Sequence, residues 1–460
     1  MDSRRYGAFS RKAARLESVL IRSPEGTSSP TFFVNRTGRL ERAPTKIALL
    51  HHTGGGNLGD EASVDVVIRN IRDRWPDAVI ALLSMNPDDT ARIYGIPSYP
   101  IRRYTWTLGY KPAATEANRG SKCEFRRWLR TTRTPAIRLP RAVLRELAFL
   151  IASLRIIRPF DLLILSGGGQ LTGRSGPWGF PYAIFTWFLM AKSVRIRCIV
   201  LNVGAGPLTQ PLSKFFVTRA LSAADYVSFR DEESQALARD IGFTGESHVF
   251  PDNVYSLEVS SPSIGCLGGR DQPIVGIAPM PYPADPALGA AEKKAIYEDL
   301  IARLAMFASS LVRRSYSLAL FGTDIGVDPG SVEDLRTVLR DRHNIATPPY
   351  DPVTSVHELL SKMSAMDYVV TCRFHGVVFA HLLNKPVLAL SPHPKVTNHM
   401  NVLGLSRYCV DIRTFDPNLL ADAFAALVRD SDNVKSRMAA SLDGYKALLK
   451  VQFDDLFPRT

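Results

Sequence analysis

The 460-residue chain reads as an α/β protein of two open domains. Each is built from βα units around a parallel sheet, and three observations predict this. From Lys46 onward, short apolar runs rich in β-branched residues alternate with longer amphipathic ones. Glycine clusters follow two of the early runs, where strand would pass into helix. A stretch rich in Ser, Gly and Pro, SSPSIGCLGGRDQP, interrupts the alternation, which then resumes. The length itself calls for more than one hydrophobic core.

Residues 1–44 carry Arg, Ser, Gly and Pro without a sustained period and read as a mobile basic leader, with one short helix around Lys12 to Ile21. KIALLHH, AVIALLS, DLLILSG, RCIVLNVG and DYVSF are the strands expected of an N-terminal α/β domain over residues 45–260. The domain boundary falls near 259–272. A C-terminal α/β domain, 273–460, opens with PIVGIAPM and a helix from about Ala291 to Arg313. It continues with SLALFG, a helix starting near Ser331, another over Val353 to Met363, DYVVTCR, a helix from His375, PVLAL and further helices. Two such domains facing each other would leave a cleft lined by strand carboxyl ends, the usual place for a ligand.

Apolar residues at 45% and charged ones at 22% are ordinary globular values. The longest apolar stretch, PWGFPYAIFTWFLMA, falls short of the roughly 20 residues a bilayer span needs. The N-terminus lacks an apolar core of signal-peptide length, so the expected location is cytoplasmic. Five scattered cysteines without CxxC spacing read as reduced thiols, and no His/Cys/Asp cluster has zinc spacing, so no metal is expected. The net charge of +13 is local: residues 101–160 hold 14 Lys and Arg against 3 acids, and residues 1–40 hold 8 against 3. Such patches suit anionic lipid headgroups or phosphorylated substrates, and no nucleic-acid module accompanies them. Within the basic insertion at about 101–145 and just after it, LPRAVLRELAFLIASLRIIRP joins apolar residues to Arg141, Arg145, Arg155 and Arg158. It reads either as a helix packed on the sheet or as one lying peripherally on the inner face of a membrane that carries a lipid-linked acceptor.

KIALLHH runs into TGGGNLGDEA, where Gly54, Gly56 and Gly59 fit G-x-G-x-x-G. Asp60 and Glu61 then open a helix. Acids there suit the helix dipole, would repel a pyrophosphate, and can accept hydrogen bonds from sugar hydroxyls. Met85 and Asn86 follow AVIALLS where a dinucleotide site would show an acid, so no nicotinamide or flavin is expected. Asn57 and Asp60 are candidate acceptor contacts, with Asp60 a candidate base. The second loop, LSGGGQLTG, offers Gly168 and Gln170 as further acceptor contacts or forms a tight turn.

YVVTCRFHGVVFAHLLNKPVLAL places Arg373 and His375 at a strand end, two residues apart, where guanidinium and imidazole point the same way. Beside Arg373 and a helix N-terminus, His375 would be charged once an anionic substrate binds. The alternative is a structural capping histidine with Arg373 paired to a carboxylate. Arg230, in DYVSFRDEES, stands at another strand end before a helix whose first acids read as caps. Lys395 starts a helix after Pro394 and could share an anion with its N–H groups. His343, His357 and His381 read as ordinary helix or loop residues.

In this order, GGGNLGDEA, LSGGGQL, FRDEES, PDNVYSL, TCRFHGVVFAHLLNKPVLAL and PKV resemble the polysaccharide pyruvyl transferase family over roughly residues 46–410. The resemblance implies two Rossmann-like domains in a GT-B-like arrangement. It also implies phosphoenolpyruvate as co-substrate with no other cofactor, and a pyruvate ketal on a sugar of a surface or exopolysaccharide precursor as product. On the family pattern Arg230, Arg373 and His375 grip the donor and supply the acid; Lys395, from its place at a helix start, is a further candidate donor contact. The leader, the basic insertion and the extra glycines of TGGGNLGD depart from the pattern and bear on the acceptor. The competing readings are a GT-B nucleotide-sugar glycosyltransferase and a non-catalytic polysaccharide-assembly protein.

Overall fold

The computed structural model describes residues 44–51, 53–103, 135–259, 272–283, 288–348 and 350–459. The leader with its expected helix, most of the basic insertion and the boundary stretch lie outside the described residues. The chain forms two compact units. The N-terminal unit takes residues 44–56, Ser63–Asn253 and the C-terminal 457–459; the C-terminal unit takes Val254–Leu456 together with Asn57–Ala62.

In the N-terminal unit seven strands form one parallel sheet in the order β3-β2-β1-β4-β5-β6-β7. They are β1 Lys46–Leu50, β2 Val79–Ser84, β3 Ser98–Pro100, β4 Leu162–Ser166, β5 Arg197–Val203, β6 Tyr226–Phe229 and β7 His248–Val249. Their helices are α1 Leu58–Arg74, α2 Pro87–Tyr94, α3 Pro135–Ile157, α4 Phe180–Ser193, α5 Pro211–Ala223 and α6 Glu232–Asp240. The central strands β1 and β4 are buried on both faces, which is why they read as unbroken apolar runs instead of alternating ones. Trp187 of α4 is fully buried in the core, and its indole N–H donates to the Ile101 carbonyl at 3.0 Å, so the large ring costs no unsatisfied donor. At the chain end, Phe457 meets the Trp75 ring edge-on at 5.3 Å, and the Trp75 indole donates to the Pro458 carbonyl. The strand order reverses between β1 and β4, so both glycine loops border the switch point where open α/β sheets hold ligands.

The C-terminal unit has a parallel five-stranded sheet in the order β12-β11-β10-β8-β9. Its strands are β8 Ile274–Ala278, β9 Ser317–Leu320, β10 Tyr368–Thr371, β11 Val387–Ser391 and β12 Cys409–Asp411. The helices are α7 Ala290–Arg313, α8 Asp328–His343, α9 Val356–Ser364, α10 Phe374–Leu382, α11 Pro394–Val402, α12 Pro417–Arg429 and α13 Ser431–Leu456. Here the switch lies between β8 and β10, and Arg373 follows β10 after Cys372. Both sheets are parallel α/β sheets as the strand pattern predicts; the first has the Rossmann order and the second the flavodoxin-like order of the same doubly wound class.

Three differences from the sequence reading have physical causes. Strands β3, β7 and β12 are two or three residues long, too short to show a period. Helix α8 begins at Asp328 and not near Ser331, because Pro329 fits a first helical turn, where its missing N–H is no loss. Helix α9 begins at Val356 and not Val353, where Ser355 caps it by accepting from the Glu358 N–H while the Glu358 carboxylate takes the Thr354 N–H.

Candidate functional site

Arg373 is the N-cap residue of α10, with an extended backbone whose N–H donates to Thr371 Oγ1 at 3.1 Å. Its side chain leaves the helix end and makes no capping bond. Instead the guanidinium donates through Nε to Asp328 Oδ1 at 3.0 Å, with a second, shorter contact from the same group. Asp328 is fully buried, and its other oxygen accepts the Thr323 and Asp324 N–H groups, both at 3.0 Å. One carboxylate thus shapes the loop after β9 and aims Arg373. Burial alone would lower the Arg373 pKa, but Asp328 outweighs it and holds the guanidinium above its ordinary range. The sequence reading missed Asp328, though a lone Asp before Pro-Gly after a strand was its available signal.

Asp324 lies 4.0 Å from the same guanidinium. Burial pushes its carboxyl up to about 6; Arg373 pulls it down, while Asp328 and Asp60 add to the rise. The segment Asn57–Ala62 adds a third wall, pairing as an antiparallel bridge between Asn57 and Asp324, with the Leu58 N–H donating to the Thr323 carbonyl at 3.0 Å. Asn57 Oδ1 accepts from the N–H groups of Gly59 and Asp60, so Asn57 caps α1 and Asp60 is a buried first-turn acid.

His375, in the first turn of α10, is buried and packs on Gly59 so closely that a Cβ there would lie 1.9 Å from the imidazole Cγ. The second half of the first glycine motif therefore makes room for the histidine of the last. Gly376 serves similarly, since a Cβ would meet Thr371 Oγ1 at 2.2 Å. The Phe374 ring stands edge-on to His375 at 5.3 Å, and Lys395 Nζ sits over Phe374 at 5.6 Å from its centroid. The structure thus brings together Asn57, Asp60, Arg373 and His375, with Lys395 beside them on Phe374.

His381, taken as ordinary, is the end of a hydrogen-bonded chain. Its Nε2 faces the Met438 carbonyl at 2.8 Å and its Nδ1 the Tyr255 hydroxyl at 3.0 Å, which lies 2.7 Å from His399 Nε2. Burial lowers the His381 pKa to about 4, so the ring is neutral and the directions follow. Its Nε2–H donates to the carbonyl, Tyr255 donates to Nδ1, and His399 Nε2–H donates to Tyr255. His399 in turn lies 5.3 Å from the Phe374 ring.

In the N-terminal unit Arg230 follows β6. Its side chain is 5% exposed and reaches both Asp231 and Asp252 at 3.3 Å, with Gly204 packed against the guanidinium. Asp231 also caps α6 by accepting the Ser234 N–H at 2.7 Å. The motif PDNVYS serves three networks in succession: Asp252 holds Arg230, Asn253 accepts from Asn202 Nδ2 at 2.7 Å, and Tyr255 joins the two histidines. Gly167 and Gly168 both have positive φ, which makes the loop after β4 a tight turn. Gln170, expected as an acceptor contact, is fully buried and gives its amide N–H groups to the Ser166 and Gly167 carbonyls, both at 2.8 Å. It folds back on its own loop. Cys198 and Cys372 are buried, which pushes each thiol up to about 12 and leaves no thiolate at neutral pH.

The sequence profile described as polysaccharide pyruvyl transferase matches residues 57–394. Among solved structures, the UDP-GlcNAc 2-epimerase from Neisseria meningitidis bound to UDP-GlcNAc aligns at 11% identity over 89% of this chain and 99% of its own, with a TM-score of 0.53. The UDP-GlcNAc 2-epimerase from Methanocaldococcus jannaschii gives 11%, 89%, 99% and 0.52 in the same terms. Staphylococcus aureus MnaA with UDP gives 12%, 87%, 92% and 0.50. These likenesses speak to the fold alone. No curated protein sequence matches the chain.

Proposed function

The chain belongs to the polysaccharide pyruvyl transferase family, and from that premise we propose that it transfers the pyruvyl group of phosphoenolpyruvate to a sugar of a surface polysaccharide precursor, forming a ketal and releasing phosphate. The observation that carries the reading is the turn from β10 into α10. There a helix N-terminus takes no side-chain cap from Arg373, His375 stands in the first turn, and Arg373 and Lys395 flank it with positive charge. A helix N-terminus between two cations suits the phosphate and carboxylate of the donor.

In this mechanism Arg373, aimed by Asp328, holds the donor anion, and Lys395 adds a point charge. His375 gives its proton to the methylene carbon, and the adjacent carbon becomes oxocarbenium-like. A sugar hydroxyl adds to that carbon, and its proton returns to His375. The carbon–oxygen bond to phosphate then breaks, and a second hydroxyl closes the ketal with its proton leaving on phosphate. Asn57 and Asp60 meet the acceptor, with Asp60 able to take a hydroxyl proton on the way. Gly168 and Gln170 shape the second glycine loop. Arg230 is held by Asp231 and Asp252 in its own unit and is given no step.

The test is to incubate the protein with phosphoenolpyruvate and a panel of nucleotide sugars and lipid-linked sugars, measuring phosphate release and a pyruvyl mass gain on the sugar. Absence of both turnover and donor binding overturns the reading.

A further inference from the structure

Helix α3 has two apolar faces. Set out at 100° per residue, Ser153, Ile157 and Leu150 lie at about 280–340° from Val143. Ser153 and Ile157 are buried, and Leu150 and Leu154 pack against the sheet core. Leu154, at about 20°, marks the edge of that face; beyond it Leu147, Ile151 and Leu144 fall at roughly 40–100°, and all three are exposed, Leu144 by 64% and Ile151 by 54%. The inward face alone accounts for the helix packing on the sheet. The outward face needs another explanation.

Helix α4 packs beside α3, and α5 beside α4. They continue the exposed apolar surface with Leu189, Leu212 and Phe215, and with Trp178 just before α4, 59% exposed. The charge on this surface has one sign. The described side chains of α3, α4 and α5 include five Lys and Arg, of which Lys192 pairs with Asp225, and one acid, Glu146, which is engaged with Arg103. Arg145, Arg155 and Arg219 are exposed there, and Arg219 lies over the Phe215 ring.

We propose that this face docks the protein on an anionic lipid surface, an inference that stands apart from the transfer chemistry. Apolar side chains on the outer side of a helix, rimmed by arginines, are the makeup of a helix lying in a membrane interface. Each basic residue near an anionic bilayer adds attraction, and an exposed Trp favours the headgroup level. No described helix is long and apolar enough to cross a membrane, so the contact is peripheral. A second copy meeting the same face would set Arg145, Arg155 and Arg219 against their own counterparts, and like charges across an interface are costly.

The experiment is co-sedimentation of the full chain with large unilamellar vesicles of phosphatidylglycerol and of phosphatidylcholine, with light scattering for mass. Binding to phosphatidylglycerol should be at least about ten-fold tighter and should weaken at about 1 M salt. Leu147→Glu with Ile151→Glu should reduce it about ten-fold or more at an unchanged melting temperature. Arg145→Gln with Arg155→Gln should reduce the preference for phosphatidylglycerol. Failure to sediment with phosphatidylglycerol, or binding indifferent to both double substitutions, overturns the proposal. So does a wild-type dimer that Leu147→Glu with Ile151→Glu makes monomeric, which would assign the face to a second copy.

Discussion

Arg230 and Arg373 occupy equivalent places in their units, each the residue between a strand end and a helix, each ion-paired to an aspartate from another loop. They differ in what happens to the helix that follows. After Arg230, Asp231 caps α6 and also pairs with the arginine, so the positive end of that helix already holds a carboxylate. After Arg373 no acid follows: Phe374 and His375 come next, and the aspartate that holds the guanidinium sits 45 residues earlier. A helix end filled by its own acid is a stable turn, whereas the one flanked by Arg373 and Lys395 is where we propose the donor anion sits. Arg373 is also the more exposed of the two, at 20% against 5%.

The largest expected effect separates the turns by chemistry. His375→Ala should lower kcat by about 10²–10⁴-fold, the usual worth of a general acid, while donor affinity measured by calorimetry changes little. An unchanged kcat would move the acid elsewhere.

Substituting each arginine by lysine comes next. Arg373→Lys removes one fork of a charge-assisted pair and should weaken phosphoenolpyruvate binding about 10–100-fold. Arg230→Lys should weaken it less, because Asp231 and Asp252 already hold that guanidinium, and should lower the melting temperature more, because a nearly enclosed ion pair is disturbed. Equal losses of affinity, with no loss of stability at Arg230, would erase the distinction.

The sequence made half of this comparison visible. Strands inside a parallel sheet are continuous apolar runs, so the strands that lead into Arg230 and Arg373 were readable, as was the two-residue spacing of Arg373 and His375. The partner of Arg373 was not, because Asp328 belongs to the loop after a different strand and its pairing exists only once the sheet orders β9, β8 and β10 side by side. Gly59 and His375 lie at opposite ends of the sequence motifs and carry no mutual signal. Likewise Asp252, Asn253 and Tyr255 look like one motif, yet each bonds into a separate network.

That hidden contact gives a third test. Alanine favours a helix by about 1 kcal/mol over glycine, so Gly59→Ala in the first turn of α1 would be benign or stabilising if nothing faced it. The His375 ring does face it, and the imidazole must shift to admit a Cβ. Activity should fall about ten-fold or more with the fold retained by circular dichroism. Full activity would show that His375 needs no fixed position.

The smallest effect concerns charge at the Arg373 turn. Asp324 has its carboxyl raised from an ordinary 3.8 to about 6, first by burial, so the folded protein holds a proton that the unfolded chain has released between those values. The sign follows: below about pH 6 Asp324 is neutral and Arg373 has one competing carboxylate fewer; above it Asp324 is ionised and repels a bound anion. Phosphoenolpyruvate affinity should therefore rise, by roughly 3–10-fold, as pH falls from about 7 to about 5.5. The donor's phosphate titrates near pH 6 as well, which alone would weaken binding on acidification. Asp324→Asn isolates the protein's share: it should bind tightly at pH 7 and lose the acid-side gain. A pH profile identical in wild type and Asp324→Asn would remove Asp324 from the donor's surroundings.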